Sequence, residues 1–128
     1  MSAHGPDRFL NELRNLGYPT ERVTANDGSI FAVLPKFEIS VGKFAGKIID
    51  LALQTTPDYP NSVHSSIHVK AEPQLYEPKD NIQNIRNVQP SALGAEWRYW
   101  SKNFNWNIES EKTARRLMAK ITTIFEHA

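Results

Sequence analysis

The sequence predicts an α+β fold: an N-terminal helix, a four-stranded antiparallel meander, an irregular segment, and a C-terminal helix packed on the sheet. In the first half of the chain, short runs alternate between apolar and polar residues, which is typical of half-buried strands. Near both ends, apolar residues recur at helical spacing instead. Strands that follow one another closely usually pair with their neighbours, which favours a meander with one face packed on the helices and the other partly wet.

Length and composition restrict the function classes. The 128 residues predict one domain spanning 1–128, with 15 Lys and Arg against 14 Asp and Glu and a net charge of +1. This balance disfavours a strongly basic nucleic-acid binder. No apolar run approaches the roughly 18 residues that a membrane span needs, and MSAHGPDRF does not resemble a secretory signal, so we expect a soluble, cytoplasmic protein. The chain has no cysteine, which excludes disulfides, thiolate zinc sites and a cysteine nucleophile.

The first helix is predicted over residues 6–16. Pro6 suits the first helical position, and Gly17 provides a C-terminal cap. The apolar stripe expected to face the core consists of Phe9, Leu10, Leu13 and Leu16.

The four strands follow. Runs at 21–25 and 29–34 flank Asn26-Asp27-Gly28, and Asp-Gly between alternating runs is typical of a tight hairpin turn. Pro35 is expected to end the second strand. The third strand then places Phe37, Ile39 and Val41 inward and Glu38 and Ser40 outward, and the fourth, within residues 44–55, places Ile49, Leu51 and Leu53 on one face and Asp50, Ala52 and Gln54 on the other.

The fourth strand ends at Pro57-Asp58-Tyr59-Pro60, because proline cannot donate a ladder hydrogen bond. Residues 61–66 are turn-like and 67–70 are a short extended piece. Residues 71–91 form an irregular segment containing Pro73, Pro78 and Pro90. A connection longer than about 15 residues is usually functional or disordered, so this segment is a natural place for a site.

Tryptophans are concentrated just before the last helix, at Trp97, Trp100 and Trp106. The favoured interpretation is core anchoring, since aromatic side chains bury large areas. The alternative is a platform for a protein partner or for nucleobases, with Arg98 and Lys102 beside the rings.

The last helix is predicted over residues 109–126, with its core-facing residues at Ala114, Leu117, Met118, Ile121, Ile124 and Phe125. Lys112, Arg116 and Lys120 follow one another at intervals of four and would form a basic stripe. Such a stripe is usually a solvated face, with a docking surface as the alternative.

No motif indicates a metal or another cofactor. His64 and His68 have the spacing of a helical zinc site, but Ser-Ile-His-Val-Lys alternates like a strand, which directs the rings apart. The glycines of GKFAGK lack the strand-to-helix context of a phosphate loop, and Ser65 and Ser66 lack a nucleophile elbow.

The order of elements and the exit through Pro57, Tyr59 and Pro60 resemble the ubiquitin-conjugating-enzyme superfamily (UBC-like) and its RWD relatives. The run Trp97-Arg98-Tyr99-Trp100-Ser101-Lys102-Asn103, followed by Trp106, is similar to the W-x-x-W-S-R-H…W signature of the prokaryotic ubiquitin-conjugating-enzyme-like family E. Lys102-Asn103 replaces Arg-His of that signature, and the resemblance covers nearly the whole chain.

The resemblance implies that the protein is found together with ubiquitin-like modifiers, activating enzymes and JAB-type metallopeptidases. Conjugating enzymes carry the modifier as a thioester, which requires a thiolate that this chain lacks. His68 stands in a region comparable to the family's His-Pro-Asn but precedes Val69-Lys70. We therefore expect a non-catalytic interaction module. Its expected partner-binding residues are His68, Trp97, Arg98, Trp100, Lys102, Lys112, Arg116 and Lys120, and its fold motif comprises Pro57, Tyr59, Pro60 and Trp106.

Two alternatives remain open at this point. The first is a transferase of a ubiquitin-like modifier that uses Ser or His in place of Cys. It could carry the modifier as an oxyester on Ser91 or Ser101, although serine is a weak nucleophile without an adjacent base. The second is a single-stranded nucleic-acid binder that uses the three tryptophans with Arg98 and Lys102, which the near-neutral net charge ranks last.

Overall fold

A six-stranded antiparallel sheet carries two helices on one of its faces. The computed structural model describes residues 4–77, 87–102 and 104–127. The order of the strands across the sheet is β1-β2-β3-β4-β6-β5. The elements in chain order are α1 (Pro6–Asn15), β1 (Glu21–Thr24), β2 (Ile30–Glu38), β3 (Ile48–Gln54), β4 (Ser66–Lys70), β5 (Asn87–Ser91), β6 (Gly94–Ser101), a 3₁₀ turn (Trp106–Ile108) and α2 (Ala114–His127).

The prediction of four strands was wrong, partly because Pro35 does not end the second strand. The predicted strand 29–34 and the one carrying Phe37 are a single strand, β2, whose register with β3 shifts between Leu34 and Phe37. Lys36 adopts a φ of 54° within this bulge, and its backbone N–H donates to the Asp50 carboxylate at 3.0 Å instead of to the ladder. A bulge lets a strand continue past a residue that cannot donate. Ile39 and Val41 follow the strand.

The other two strands come from the segments predicted to be irregular and aromatic. β5 and β6 form a hairpin that extends the sheet beyond β4, with Ile67 opposite Trp100 and His68 opposite Tyr99. Pro90 is accommodated because β5 lies at the edge of the sheet. Part of the predicted irregular segment, residues 78–86, lies outside the described residues.

The helices agree with their predicted apolar stripes except near their ends. All six predicted core residues of α2 are buried, as are Phe9, Leu10 and Leu13 of α1. Leu16, by contrast, is 42 % exposed. α2 begins at Ala114 rather than at residue 109, so Lys112 precedes the helix and is no part of a helical stripe.

Apolar clusters lie on both faces of the sheet. The larger one joins the helices to the sheet through residues such as Leu34, Leu51 and Trp100. The second, on the face opposite the helices, consists of Ala25, Phe31, Val33 and Ala52, with Leu93 and Trp97 packed against it. Ala52 was expected on a partly wet face but is buried, because the turn of the β5–β6 hairpin brings Leu93 over this face. In the described ranges, neither α1 nor α2 has the length and apolar character that a membrane-spanning helix requires.

Candidate functional site

The exit from β3 is a structural junction. Tyr59 is buried, and its ring centroid lies 4.8 Å from that of Phe9 in α1. The Trp106 indole N–H donates to the Pro60 carbonyl at 2.7 Å. Pro57 is exposed at the start of the turn. Tyr59, Pro60 and Trp106 thus meet in the structure, where they connect the sheet to the segment before α2.

Glu12 holds this junction to both helices. Its Oε1 accepts hydrogen bonds from the Tyr59 hydroxyl at 2.6 Å and from the backbone N–H of Ala114, the first residue of α2, at 2.9 Å. Its Oε2 accepts from Arg8 Nε at 2.8 Å. Burial and the Glu12 carboxylate raise the pKa of Tyr59, which keeps its hydroxyl a donor. The junction therefore supports the fold rather than offering a ligand site.

His68 lies at the centre of a second cluster of polar groups, on the sheet face opposite the helices. It is 2 % exposed, and its ring makes edge contacts with Phe31 at 4.8 Å and Tyr99 at 5.3 Å between centroids. Its Nδ1 lies 2.7 Å from Ser91 Oγ. The Leu93 N–H donates to the same Oγ at 3.1 Å. His68 is thus paired with a serine at the end of β5 and offers no surface to a partner.

The Ser91–His68 pair has the geometry of a nucleophile beside a base. A serine hydroxyl that donates to Nδ1 leaves the proton of the neutral ring on Nε2. That Nε2 is buried and has no hydrogen-bond partner among the described residues, so no carboxylate there orients the ring. Ser101 is buried and lies opposite Ser66 in the ladder. Of the two serines considered from the sequence, Ser91 is therefore the one paired with a histidine.

The environment of His68 predicts that it stays neutral at physiological pH. Burial, reinforced by the charge of nearby His64, lowers the pKa of His68 from 6.5 to about 4. The unfolded chain takes up this proton at higher pH than the folded chain, so folding stability is expected to fall as the pH drops from 6.5 towards 4. Imidazole ¹H–¹⁵N spectra should show a His68 midpoint below 5, and a midpoint near 6.5 would contradict the buried position.

Two of the three tryptophans are inside the core. Trp100 and Trp106 are 1 % and 5 % exposed, so their rings are not available for stacking or for partner contact. Trp97 is half-buried against the second apolar cluster. Arg98 donates to Glu77 at 2.5 Å and to the carbonyl oxygens of Ala95 and Trp97. A base-stacking platform needs exposed aromatic rings. Because Trp100 and Trp106 are buried, the three tryptophans do not form such a platform together.

The basic residues are grouped differently in the structure from the stripe that the sequence predicts. Arg116 Nε and Lys120 Nζ contact the same oxygen of Glu109, at 3.1 Å and 3.0 Å. Hydrogen bonds from Lys120, which has the larger effect, and from Arg116 lower the pKa of Glu109 to about 2. Glu109 is therefore ionised at neutral pH. Lys102, after β6, lines a pocket together with Arg116 and Lys120. The structure thus groups Lys102 with these two residues, while Lys112 lies before the helix.

The sequence offers no local signal for two of these contacts. Ser91 and His68 are 23 residues apart, and Glu12 and Ala114 are 102 apart. Within the described ranges, no three His, Asp or Glu side chains lie close enough together to hold a metal ion.

The similarity of this chain to known proteins is at the level of a protein family. Neither the curated proteins nor the solved structures contain a match. The family model described as prokaryotic E2 family E matches residues 6–128, which include both the Tyr59-Pro60 exit and the tryptophan motif. Because this match spans nearly the whole chain, the protein belongs to prokaryotic E2 family E, the ubiquitin-conjugating-enzyme-like family that its motifs resemble.

Proposed function

We propose that this protein is a non-catalytic interaction module in a bacterial ubiquitin-like modification pathway, acting in the cytoplasm. The observation that supports this proposal is family membership combined with the complete absence of cysteine. Thioester transfer depends on a thiolate nucleophile. A chain that keeps the family's motifs without this nucleophile is suited to binding a pathway protein rather than to carrying the modifier.

The proposed partner is a ubiquitin-like modifier, an activating enzyme or a JAB-type peptidase of the same pathway. A binding role needs no catalytic group, and the junction of Glu12, Tyr59 and Trp106 stabilises the fold on which such a surface would lie. Rigid elements of this kind can present a surface without a large ordering cost.

The binding test uses the immobilised full chain and each purified pathway protein in turn. We expect at least one of them to bind with a dissociation constant on the order of tens of micromolar or tighter, as for a transient complex. An unrelated α+β protein of similar size and net charge serves as the control. Absence of binding by all three classes of pathway protein at that concentration would overturn the proposal.

A second candidate is favoured by the 2.7 Å contact between Ser91 Oγ and His68 Nδ1. In this candidate, Ser91 attacks the carbonyl of a modifier held as a thioester on its activating enzyme. The Oγ–carbon bond forms as the carbon–sulfur bond breaks, the hydroxyl proton passes to His68 Nδ1, and the departing thiolate takes up that proton. The product is an oxyester on Ser91.

The interaction module ranks above the Ser91 transferase because His68 is a weak base in its buried position. Burial lowers its pKa to about 4, and an effective general base has a pKa near the working pH. The two candidates differ in one observable, a covalent adduct that depends on Ser91.

A further inference from the structure

A cationic pocket lies between the end of β6 and α2. It has a cavity volume of about 310 Å³ and is lined by Lys102, Arg116 and Lys120, with Phe104 and Ala119 among its apolar residues. Phe104 is 5 % exposed, so the apolar wall is part of the packed core. This volume is at the small end of the range for ligand pockets, roughly 300–1,000 Å³, and is large enough for an amino-acid side chain.

The charges around the pocket are unbalanced. Glu109 faces Arg116 and Lys120 but is not among the residues that line the pocket. Among the ion pairs of the described residues, none includes Lys102, whereas Arg116 and Lys120 share Glu109. Three cations are therefore set against one carboxylate, and the charged residues that line the pocket are all cations.

Two of the three cations are already held in position. Side-chain exposure is 20 % for Lys120 and 13 % for Glu109, and one Glu109 oxygen bridges Lys120 and Arg116. Because the pair is ordered before binding, an incoming anion would lose less affinity to side-chain ordering. The low pKa of Glu109, about 2, keeps this bridge in place at neutral pH.

We propose that this pocket binds an acidic segment of a partner protein, with one Glu or Asp side chain entering between Lys102 and Arg116. The inference rests on the proposed function, since it names the chemistry of the partner of an interaction module. A carboxylate fits both the charge and the volume of the pocket. A nucleic acid is disfavoured because its affinity comes from many phosphate contacts, and the chain as a whole carries a net charge of only +1.

The test follows backbone ¹H–¹⁵N shifts of the full chain during titration with an acetylated, amidated hexapeptide of alternating Glu and Asp. We expect saturable shifts at Lys102, Phe104, Ala119 and Lys120, which weaken as salt is added. Lys102→Gln should weaken binding about fivefold, and Lys102→Gln with Arg116→Gln about twentyfold or more, since charge-assisted contacts are lost. Lys102→Arg should retain binding.

The matched control is Lys47→Gln, which removes the same charge from an exposed position in the loop before β3 and should leave binding unchanged. Equal weakening by this control would overturn the proposal, because it would show a general charge effect. Equal binding of the Gln and Asn counterpart peptide would overturn it too. So would the absence of acidic-peptide binding, or tighter binding of inorganic phosphate or of an oligothymidylate of about 12 nucleotides.

The same variants separate this inference from the proposed function. If a pathway protein binds the wild-type chain and the Lys102→Gln, Arg116→Gln double variant equally well, the pocket is not its docking site and the proposed function stands. If no pathway protein binds the wild type, the proposed function fails. The peptide titration then still decides whether the pocket binds carboxylates.

Discussion

Replacing Gly42 with alanine is expected to lower the free energy of unfolding by about 3 kcal/mol or more. Gly42 has a φ of 78°, in the left-handed region that favours glycine. A Cβ at this position would lie 2.1 Å from the Phe125 carbonyl oxygen and 3.1 Å from the Glu126 Cα. Both are backbone atoms of α2, so the loop and the end of the helix would have to separate.

Gly46→Ala provides the matched control. Gly46 lies in the same loop with a φ of 89°, but a Cβ there meets no atom within 4 Å. The Gly46→Ala substitution should therefore lower the free energy of unfolding only through backbone strain, by about 1 kcal/mol. Denaturant unfolding followed by circular dichroism measures both variants. Equal losses would show that Gly42 does not approach the backbone at the end of α2 as closely as described.

Glu12→Ala is expected to lower the free energy of unfolding by about 3 kcal/mol, because it removes an acceptor shared by three donors. The Tyr59 hydroxyl would lose its carboxylate partner inside the core, and the first N–H of α2 would lose its cap. Glu12→Gln keeps an acceptor oxygen for these two donors and should cost less. Glu38→Ala, at an exposed strand position, is the control and should stay within about 0.5 kcal/mol of the wild type.

The contribution of Glu12 should depend on pH. Burial acts to raise its pKa, but hydrogen bonds from Arg8, Tyr59 and the Ala114 N–H outweigh burial, so the pKa lies below its ordinary value of 4.5. The stabilisation is therefore present above pH 4.5 and is lost as the pH falls through the folded-state pKa. Denaturant unfolding of Glu12→Gln should show a shallower loss of stability below pH 4.5 than the wild type. An identical pH dependence would indicate that the carboxylate is not bound as described.

Much of the fold could be predicted because it is encoded in local periodicity. The alternation at Ile49, Leu51 and Leu53 and the helical spacing from Ala114 to Phe125 both correspond to buried faces. The family could also be inferred, since its motifs are contiguous in sequence around Tyr59-Pro60 and Trp97 to Trp106. These signals depend on neighbouring residues alone.

The errors arose where tertiary contacts override local signals. Pro35 indicates the end of a strand, but the bulge at Lys36, held by Asp50 on β3, lets β2 continue. The β5–β6 hairpin was missed because Pro90 is tolerated only at a sheet edge, which the sequence alone does not reveal. The pocket was not predicted, because the sequence grouped Arg116 and Lys120 with Lys112 in a helical stripe. In the structure, Lys102 lines the pocket with these two residues instead.

The most direct test of the central claim is the intact mass of the full chain after incubation with activating enzyme, ATP and modifier. The account predicts that the 14.6 kDa mass stays unchanged under conditions in which a pathway protein binds the chain. A hydroxylamine-sensitive adduct of one modifier, absent from the Ser91→Ala variant, would contradict it and establish Ser91 as an oxyester carrier.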